Sequence, residues 1–187
     1  SLSLPIANAA KGVLAPLGNL SISGDVELNR LSDFGTLWTL GSTLNWTPVK
    51  PLRFLVSYTH EQGAPGVQQL GGPLVVTPNV TVFDYVRGAS VQVTQISGGN
   101  PLLTRDQRNV LKAGVNLKPF KDTDFTVSAD YVRSNLSGSA TSFPSPTAEI
   151  EAAFPDRFVR DADGNLVSID TRPVNFAENR SQQLRIG

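Results

Sequence analysis

The sequence contains no cysteine, which removes disulfides, thiolate metal sites and cysteine nucleophiles together. Methionine is absent too, so Ser1 is expected to be a processed or truncated end. The strand-like run from Ser181 to Gly187 stops without a turn and is expected to continue. No secretory signal is recognisable at the N-terminus. Charge is scarce: 17% of residues carry it, against a usual share of about a quarter. Sixteen Lys+Arg balance 16 Asp+Glu, so the chain has no net electrostatic grip on phosphate backbones, and nucleic acid is not an expected partner. Low charge combined with 40% hydrophobic residues also argues against disorder. No run of about 18 apolar residues occurs, which excludes a transmembrane helix.

Catalytic signals are equally thin. His60 is the one histidine, and no G-x-S-x-G elbow or Gly-rich nucleotide loop accompanies it. No enzymatic activity, cofactor or metal site is expected. Asp161-Ala162-Asp163-Gly164 is similar to the start of a calcium loop, but the later bidentate glutamate is missing. A hairpin turn is the better reading of it.

What the chain does have is alternation with period two, the mark of strands with one apolar and one polar face. Leu20, Ile22, Gly24, Val26 and Leu28 alternate with Ser21, Ser23, Asp25, Glu27 and Asn29. Trp38, Leu40, Leu44 and Trp46 alternate with Thr39, Gly41, Thr43 and Asn45, with Ser42 out of pattern on the apolar side. The same reading sets Leu52, Phe54, Val56 and Tyr58 against Arg53, Leu55, Ser57 and Thr59. Leu111, Ala113, Val115 and Leu117 face away from Val110, Lys112, Gly114 and Asn116. Phe125, Val127, Ala129 and Tyr131 face away from Thr126, Ser128, Asp130 and Val132. Leu184 and Ile186 close the set against Gln183 and Arg185. About six strands result, several near the roughly 9–11 residues that cross a bilayer at a tilt.

Connection lengths carry more information than the strands. Thr47 to Pro51 and Lys118 to Asp124 are short turns, the first rich in proline, which cannot donate to a ladder. Between them runs a long segment, about 62–108, and a second one spans about 135–180. Such lengths are unusual in compact soluble domains. Short turns on one side and long loops on the other are the pattern of outer-membrane barrels, with Ser32-Asp33-Phe34-Gly35 as a short exception on the outer side. Aromatics agree: Trp46 and Phe125 stand beside the short turns, and Trp38, Tyr58 and Tyr131 at the opposite strand ends, as two interfacial girdles would. The loops carry their own structure. Ser145 is expected to cap a short helix with Pro146 at its first position, stopped by Pro155. Phe158-Val159-Arg160 and Leu166-Val167-Ser168-Ile169 flank a hairpin turn at Asp163-Gly164-Asn165.

Several segments in order carry a resemblance: Ser32-Asp33-Phe34-Gly35-Thr36-Leu37, Asn45-Trp46-Thr47-Pro48, Gly98-Gly99-Asn100-Pro101, Ala152-Ala153-Phe154-Pro155-Asp156-Arg157-Phe158 and Asp170-Thr171-Arg172-Pro173-Val174-Asn175-Phe176. Together they resemble the barrel region of TonB-dependent outer-membrane receptors. The resemblance implies an antiparallel transmembrane β-barrel of about 22 strands closed by an N-terminal plug. It implies a ferric siderophore, cobalamin or an oligosaccharide as ligand, outer-membrane lipid as surroundings, and coupling to the TonB complex through an N-terminal region. On that reading residues 1–187 are all barrel domain, and neither plug nor coupling motif falls within them. The lipid faces would then form an apolar patch well above about 400 Å², so the chain is not expected to fold stably alone in water.

Asp25, Glu27, Arg53, Lys112, Asp130 and Arg185 are expected on the inner face, where a plugged or water-filled barrel needs polar groups whatever it carries. In the loops, Phe83, Asp84, Tyr85, Arg157 and Arg160 offer aromatic and charged groups to a ligand and are the candidate binding residues. The competing readings are a passive or structural outer-membrane barrel and a soluble all-β binding module.

Overall fold

The computed structural model describes residues 1–10, 14–120 and 125–187. In chain order the strands are β1 (Leu2–Ala7), β2 (Asn19–Leu31), β3 (Gly35–Val49), β4 (Leu52–Gly63), β5 (Val75–Asp84), β6 (Ala89–Ser97), β7 (Asp106–Leu117), β8 (Val127–Thr141), β9 (Phe158–Arg160), β10 (Leu166–Asp170) and β11 (Val174–Ile186). Two short helices, α1 (Val67–Gly71) and α2 (Ala148–Ala153), lie in the long connections. The described residues form two compact units: 1–64, 106–137 and 177–187 make the first, 65–105 and 138–176 the second.

The first unit is one sheet in the order β1-β2-β3-β4-β7-β8-β11. From β1 to β8 the neighbouring strands pair antiparallel. β8 and β11 are joined by reciprocal backbone hydrogen bonds between Ser128 and Gly187. The six expected strands are all present, and the sheet holds a seventh. β1 is six residues long with Pro5 inside it, too short and too interrupted to register as alternation. The turn expected at Thr47–Pro51 narrows to Lys50 and Pro51, because β3 runs on through Val49 past a register shift after Trp46. Of the second expected turn, Lys121 to Asp124 lie outside the described residues.

Register makes the two faces explicit, because paired residues in an antiparallel ladder share a face. Ile22, Leu44, Val56, Ala113 and Tyr131 form one row across five strands. On the opposite face Asp25, Glu27, Arg53, Lys112 and Asp130 fall together, as the alternation requires. Arg185 joins them in lining a shallow hollow with Lys112 and Asp130. On the apolar face Trp46 stacks on Phe54 with ring centroids 5.2 Å apart near the short turn, and Trp46 Nε1 donates to the Leu17 carbonyl at 2.9 Å. Towards the other strand ends Trp38 stacks on His60 at 4.4 Å.

The edge of the apolar face runs diagonally. On β8 the apolar run ends at Tyr131, which is level with Ile22 on β2. On β4 and β7 it ends at Tyr58 and Leu111, level with Gly24, and on β3 and β2 only at Trp38 and Leu28. Six residues of strand correspond to roughly 20 Å, and four inter-strand spacings to about 19 Å, so a flat boundary demands strands tilted by about 45°. That lies at the top of the tilt range of closed barrels.

The polar face has its own device. Asp25 pairs with Gly41, Asp106 with Gly63, and Asp130 with Gly114 across neighbouring strands. A methyl at any of these three glycines would collide with the paired carboxylate. Each aspartate therefore lies flat over a glycine instead of standing off the sheet.

The second unit is a four-stranded sheet, β5-β6-β10-β9, in which β6 and β10 run parallel. Val93, Phe158, Leu166 and Ile169 form its core, with Val80, Val82, Val91, Phe143 and Ile150 packed around them. Burial of these side chains is what holds a unit of this size together. The β5–β6 hairpin escaped the sequence reading because a register shift between Thr77 and Val80 breaks its alternation, and Asn79 there has φ 60°. The β9–β10 hairpin sits where expected, with Asp161 accepting from Asn165 N at 2.8 Å and Gly164 at φ 79°. The cap of α2 differs from expectation: Thr147, not Ser145, accepts from Ile150 N at 3.3 Å. Starting two residues later places Glu149 and Glu151 in the first turn, where the helix dipole favours them.

Candidate functional site

The candidate ligand residues all lie in the second unit, and three of them belong to ion networks. Val80, Val82 and Asp84 share the face of β5 that covers the core, so Asp84 ends the strand pointing inward with 1% of its surface exposed. Arg160 reaches it from β9 with two hydrogen bonds, 2.8 and 2.9 Å. The same guanidinium binds Glu151 of α2 at 2.7 and 2.8 Å and donates to the Gly164 carbonyl at 3.0 Å. Asp84 Oδ1 also caps the turn after β5, accepting from Val86 N at 3.0 Å and Arg87 N at 3.3 Å. The Arg160 hydrogen bonds hold the Asp84 carboxyl at about 2, below its ordinary 3.8, against the opposing push of burial. Arg160 is raised in turn, chiefly by Asp84 and then by Glu151. Four hydrogen bonds and a charged partner commit this buried aspartate to holding the hairpin in place.

A second clasp lies beside the first. Arg87, at the tip of the β5–β6 hairpin, donates to the Asn165 side chain and the Asp163 carbonyl at the tip of the β9–β10 hairpin. Arg157 pairs with Asp170 at 2.7 Å, and Asp170 also receives Arg172 at 2.6 Å. Burial pushes the Asp170 carboxyl up, but Arg172 and Arg157 outweigh it and leave it below the ordinary value. Thr171 Oγ1 donates to the Ile96 carbonyl at 2.9 Å and accepts from Gln95 Nε2 at 3.1 Å.

The segments Gly98–Pro101 and Asp170–Phe176 thus have structural work. Gly98 sits at φ 117°, and a side chain there would run into the Pro73 carbonyl. Asn100 is 4% exposed: its Nδ2 donates to the Pro173 carbonyl at 2.8 Å and its Oδ1 accepts from Leu102 N at 3.1 Å. Asn175 accepts from Thr104 N at 2.9 Å and donates to the Thr104 and Gly138 carbonyls. Phe154 packs edge-on against Phe143 and Phe176.

Phe83 and Tyr85 are placed differently from the charged candidates. They point away from the core, 46% and 52% exposed, with rings in edge contact at 4.9 Å. Val86 beside them is 62% exposed. The structure therefore brings Asp84 and Arg160 together, sets Phe83 against Tyr85, and leaves Arg157 with Asp170. Glu151, Arg87 and Asp170 were not foreseen: Glu151 lies 9 positions from Arg160 and Arg87 reaches Asn165 across 78, separations set by the fold and not by any local pattern.

An antiparallel sheet with one apolar and one polar face, an apolar edge that runs diagonally across its strands, and long connections that fold as a unit of their own defines a barrel-wall fold. Solved structures that share it include two receptors. The siderophore receptor PirA from Pseudomonas aeruginosa matches with a TM-score of 0.60 and 14% identity, over 89% of this chain and 27% of that one. The siderophore receptor PirA from Acinetobacter baumannii matches with a TM-score of 0.58 and 12% identity, over 90% of this chain and 23% of that one. At such identities the likeness establishes the fold, and the chain spans about a quarter of each receptor's length. No protein-family model matches the chain, and no curated protein matches it in sequence.

Proposed function

We propose that the chain forms wall and outer loops of a TonB-dependent receptor of the bacterial outer membrane, one that captures a ferric siderophore. The observation that carries this reading is a two-faced sheet with a diagonal apolar edge, its strands joined through a separately folded loop unit. A simple pore has no need of such a unit, whereas a receptor needs a built surface on which to hold its ligand. The two similar structures being siderophore receptors favours that ligand class over cobalamin or an oligosaccharide. Phe83 and Tyr85, with Val86, offer an exposed aromatic and apolar surface to it. Asp84, Arg160 and Arg157 act behind them, fixing the hairpin that presents the rings. Release of the ligand inward requires a plug and its energy coupling, which reside in parts of such receptors other than this one.

The test is uptake. The full-length protein that contains this chain, produced in Gram-negative cells lacking their own siderophore receptors, is expected in the outer-membrane fraction and to import at least one ferric siderophore from a radio-iron panel. Import is expected to stop when the proton gradient is collapsed. Passive, gradient-independent entry of small solutes would replace the receptor reading with a pore. Recovery of the protein in the soluble fraction would remove both.

A further inference from the structure

The loop unit, residues 65–105 and 138–176, draws its charge from few residue types. It holds no lysine and no histidine, but seven carboxylates and five arginines. The fold distributes these unequally. Asp84, Glu151 and Asp170, the three buried or half-buried carboxylates, take Arg160, Arg157 and Arg172 as partners. Glu149, Asp156, Asp161 and Asp163 stay exposed. Against these four stand two exposed arginines, Arg87 and Arg105. Arg87 is committed to the Asp163 carbonyl and the Asn165 side chain, and Arg105 immediately precedes β7. The solvent side of the unit is therefore negative. Asp161 and Asp163 concentrate that sign at the hairpin tip that Arg87 reaches.

The sheet face that carries Phe83 is built differently. Residues paired across strands share a face. Phe83 is level with Ser90, Thr81 with Gln92, and Thr94 with Ser168, which is level in turn with Val159. The opposite face holds the Val80–Val93 and Val82–Val91 pairs over the core. Hydroxyls and an amide beside the Phe83 and Tyr85 rings can hydrogen-bond a ligand without offering it a counter-charge. Asp170, level with Ile96 at the base of this face, holds Arg157 and Arg172, whose side chains are 18% and 26% exposed.

Ferric siderophores divide by charge. Iron(III) held by three catecholates is a trianion, whereas iron(III) held by three hydroxamates is neutral. We infer that the Phe83 face takes the uncharged class, a ferric tris-hydroxamate, with the two rings against its apolar linkers and the Thr81 and Ser90 hydroxyls on its amides. The inference rests on the siderophore-receptor reading. Two unbalanced carboxylates about 10 Å from a trianion disfavour it roughly fivefold at ~0.1 M salt, and more at lower salt. A neutral complex feels no such repulsion.

The test uses the full-length protein in detergent, with radio-iron complexes in equilibrium dialysis. Three linear trihydroxamates that differ only at the chain end, in ammonium, acetamide or carboxylate, vary the charge on one ferric core. A tris-catecholate supplies the trianion. The ammonium and acetamide forms are expected to bind best and the carboxylate form more weakly, with the trianion about fivefold or more below the acetamide form. Asp156→Lys with Asp163→Lys reverses the exposed balance. It is expected to raise trianion affinity about fivefold or more while holding the acetamide form within about twofold. Phe83→Ala with Tyr85→Ala is expected to weaken the acetamide form about tenfold. Tightest binding by the trianion, or its indifference to the Asp156 and Asp163 double variant, overturns the proposal. Unchanged binding of the acetamide form by the Phe83 and Tyr85 double variant overturns it too. Binding by no member of the panel removes the siderophore reading itself, and the inference with it.

Discussion

At the scale of single residues, the loop unit turns on Asp84. Its carboxylate closes a turn, anchors Arg160 and through it Glu151, all with 1% of its surface in water. Replacing one member of a buried charge pair strands the other, and Asp84→Asn is expected to destabilise the loop unit by about 3 kcal/mol. Protease cutting within 65–105 and 138–176 should accelerate while the sheet's own protection is unchanged. The pH dependence has a definite sign. Because the folded pKa is depressed, the unfolded chain takes up the proton first, and the Asp84 contribution is intact above about 3.8. It disappears as pH falls through about 2, so the stability gap between wild type and Asp84→Asn should close only there. Gly98→Ala should be as damaging by another route, since φ 117° and the Pro73 carbonyl both exclude a side chain; loss of a cooperative loop-unit transition in hydrogen exchange would show it. Naming Asp84 and Arg160 from sequence as interesting was possible because charge in a loop is informative. Their mutual pairing was not legible, since it depends on a fold that brings β5 and β9 together.

At the scale of elements, alternation was legible wherever one face is apolar along its length. That is why β2, β3, β4, β7 and β8 were readable and even the shared polar face of Asp25, Lys112 and Asp130 followed. It failed for β5, where a bulge resets the period, and for β1, which has too few residues to show one. The face assignment makes a sharp prediction. Leu44→Arg, near the middle of the apolar face, is expected to cost about 2–4 kcal/mol of barrel stability, whereas Thr43→Arg, one residue away on the polar face, should cost little. The heat-resistant, compact band of the full-length protein in detergent gels measures both; equal sensitivity would mean that the two faces are misassigned.

At the scale of the whole molecule, the tilted apolar band fixes two depths. Trp46 and Trp38 lie on one face of one strand, at its two ends. Lipids brominated near the headgroup should quench both when the full-length protein is compared with its Trp38→Phe and Trp46→Phe variants. Lipids brominated at the acyl terminus should quench neither strongly. The three aspartate–glycine pairs bear on the other side of the wall. A carboxylate laid over a glycine contributes its field but almost no height. At those three positions the polar face therefore carries charge without relief, so a surface laid against it there would meet a field rather than a protruding side chain.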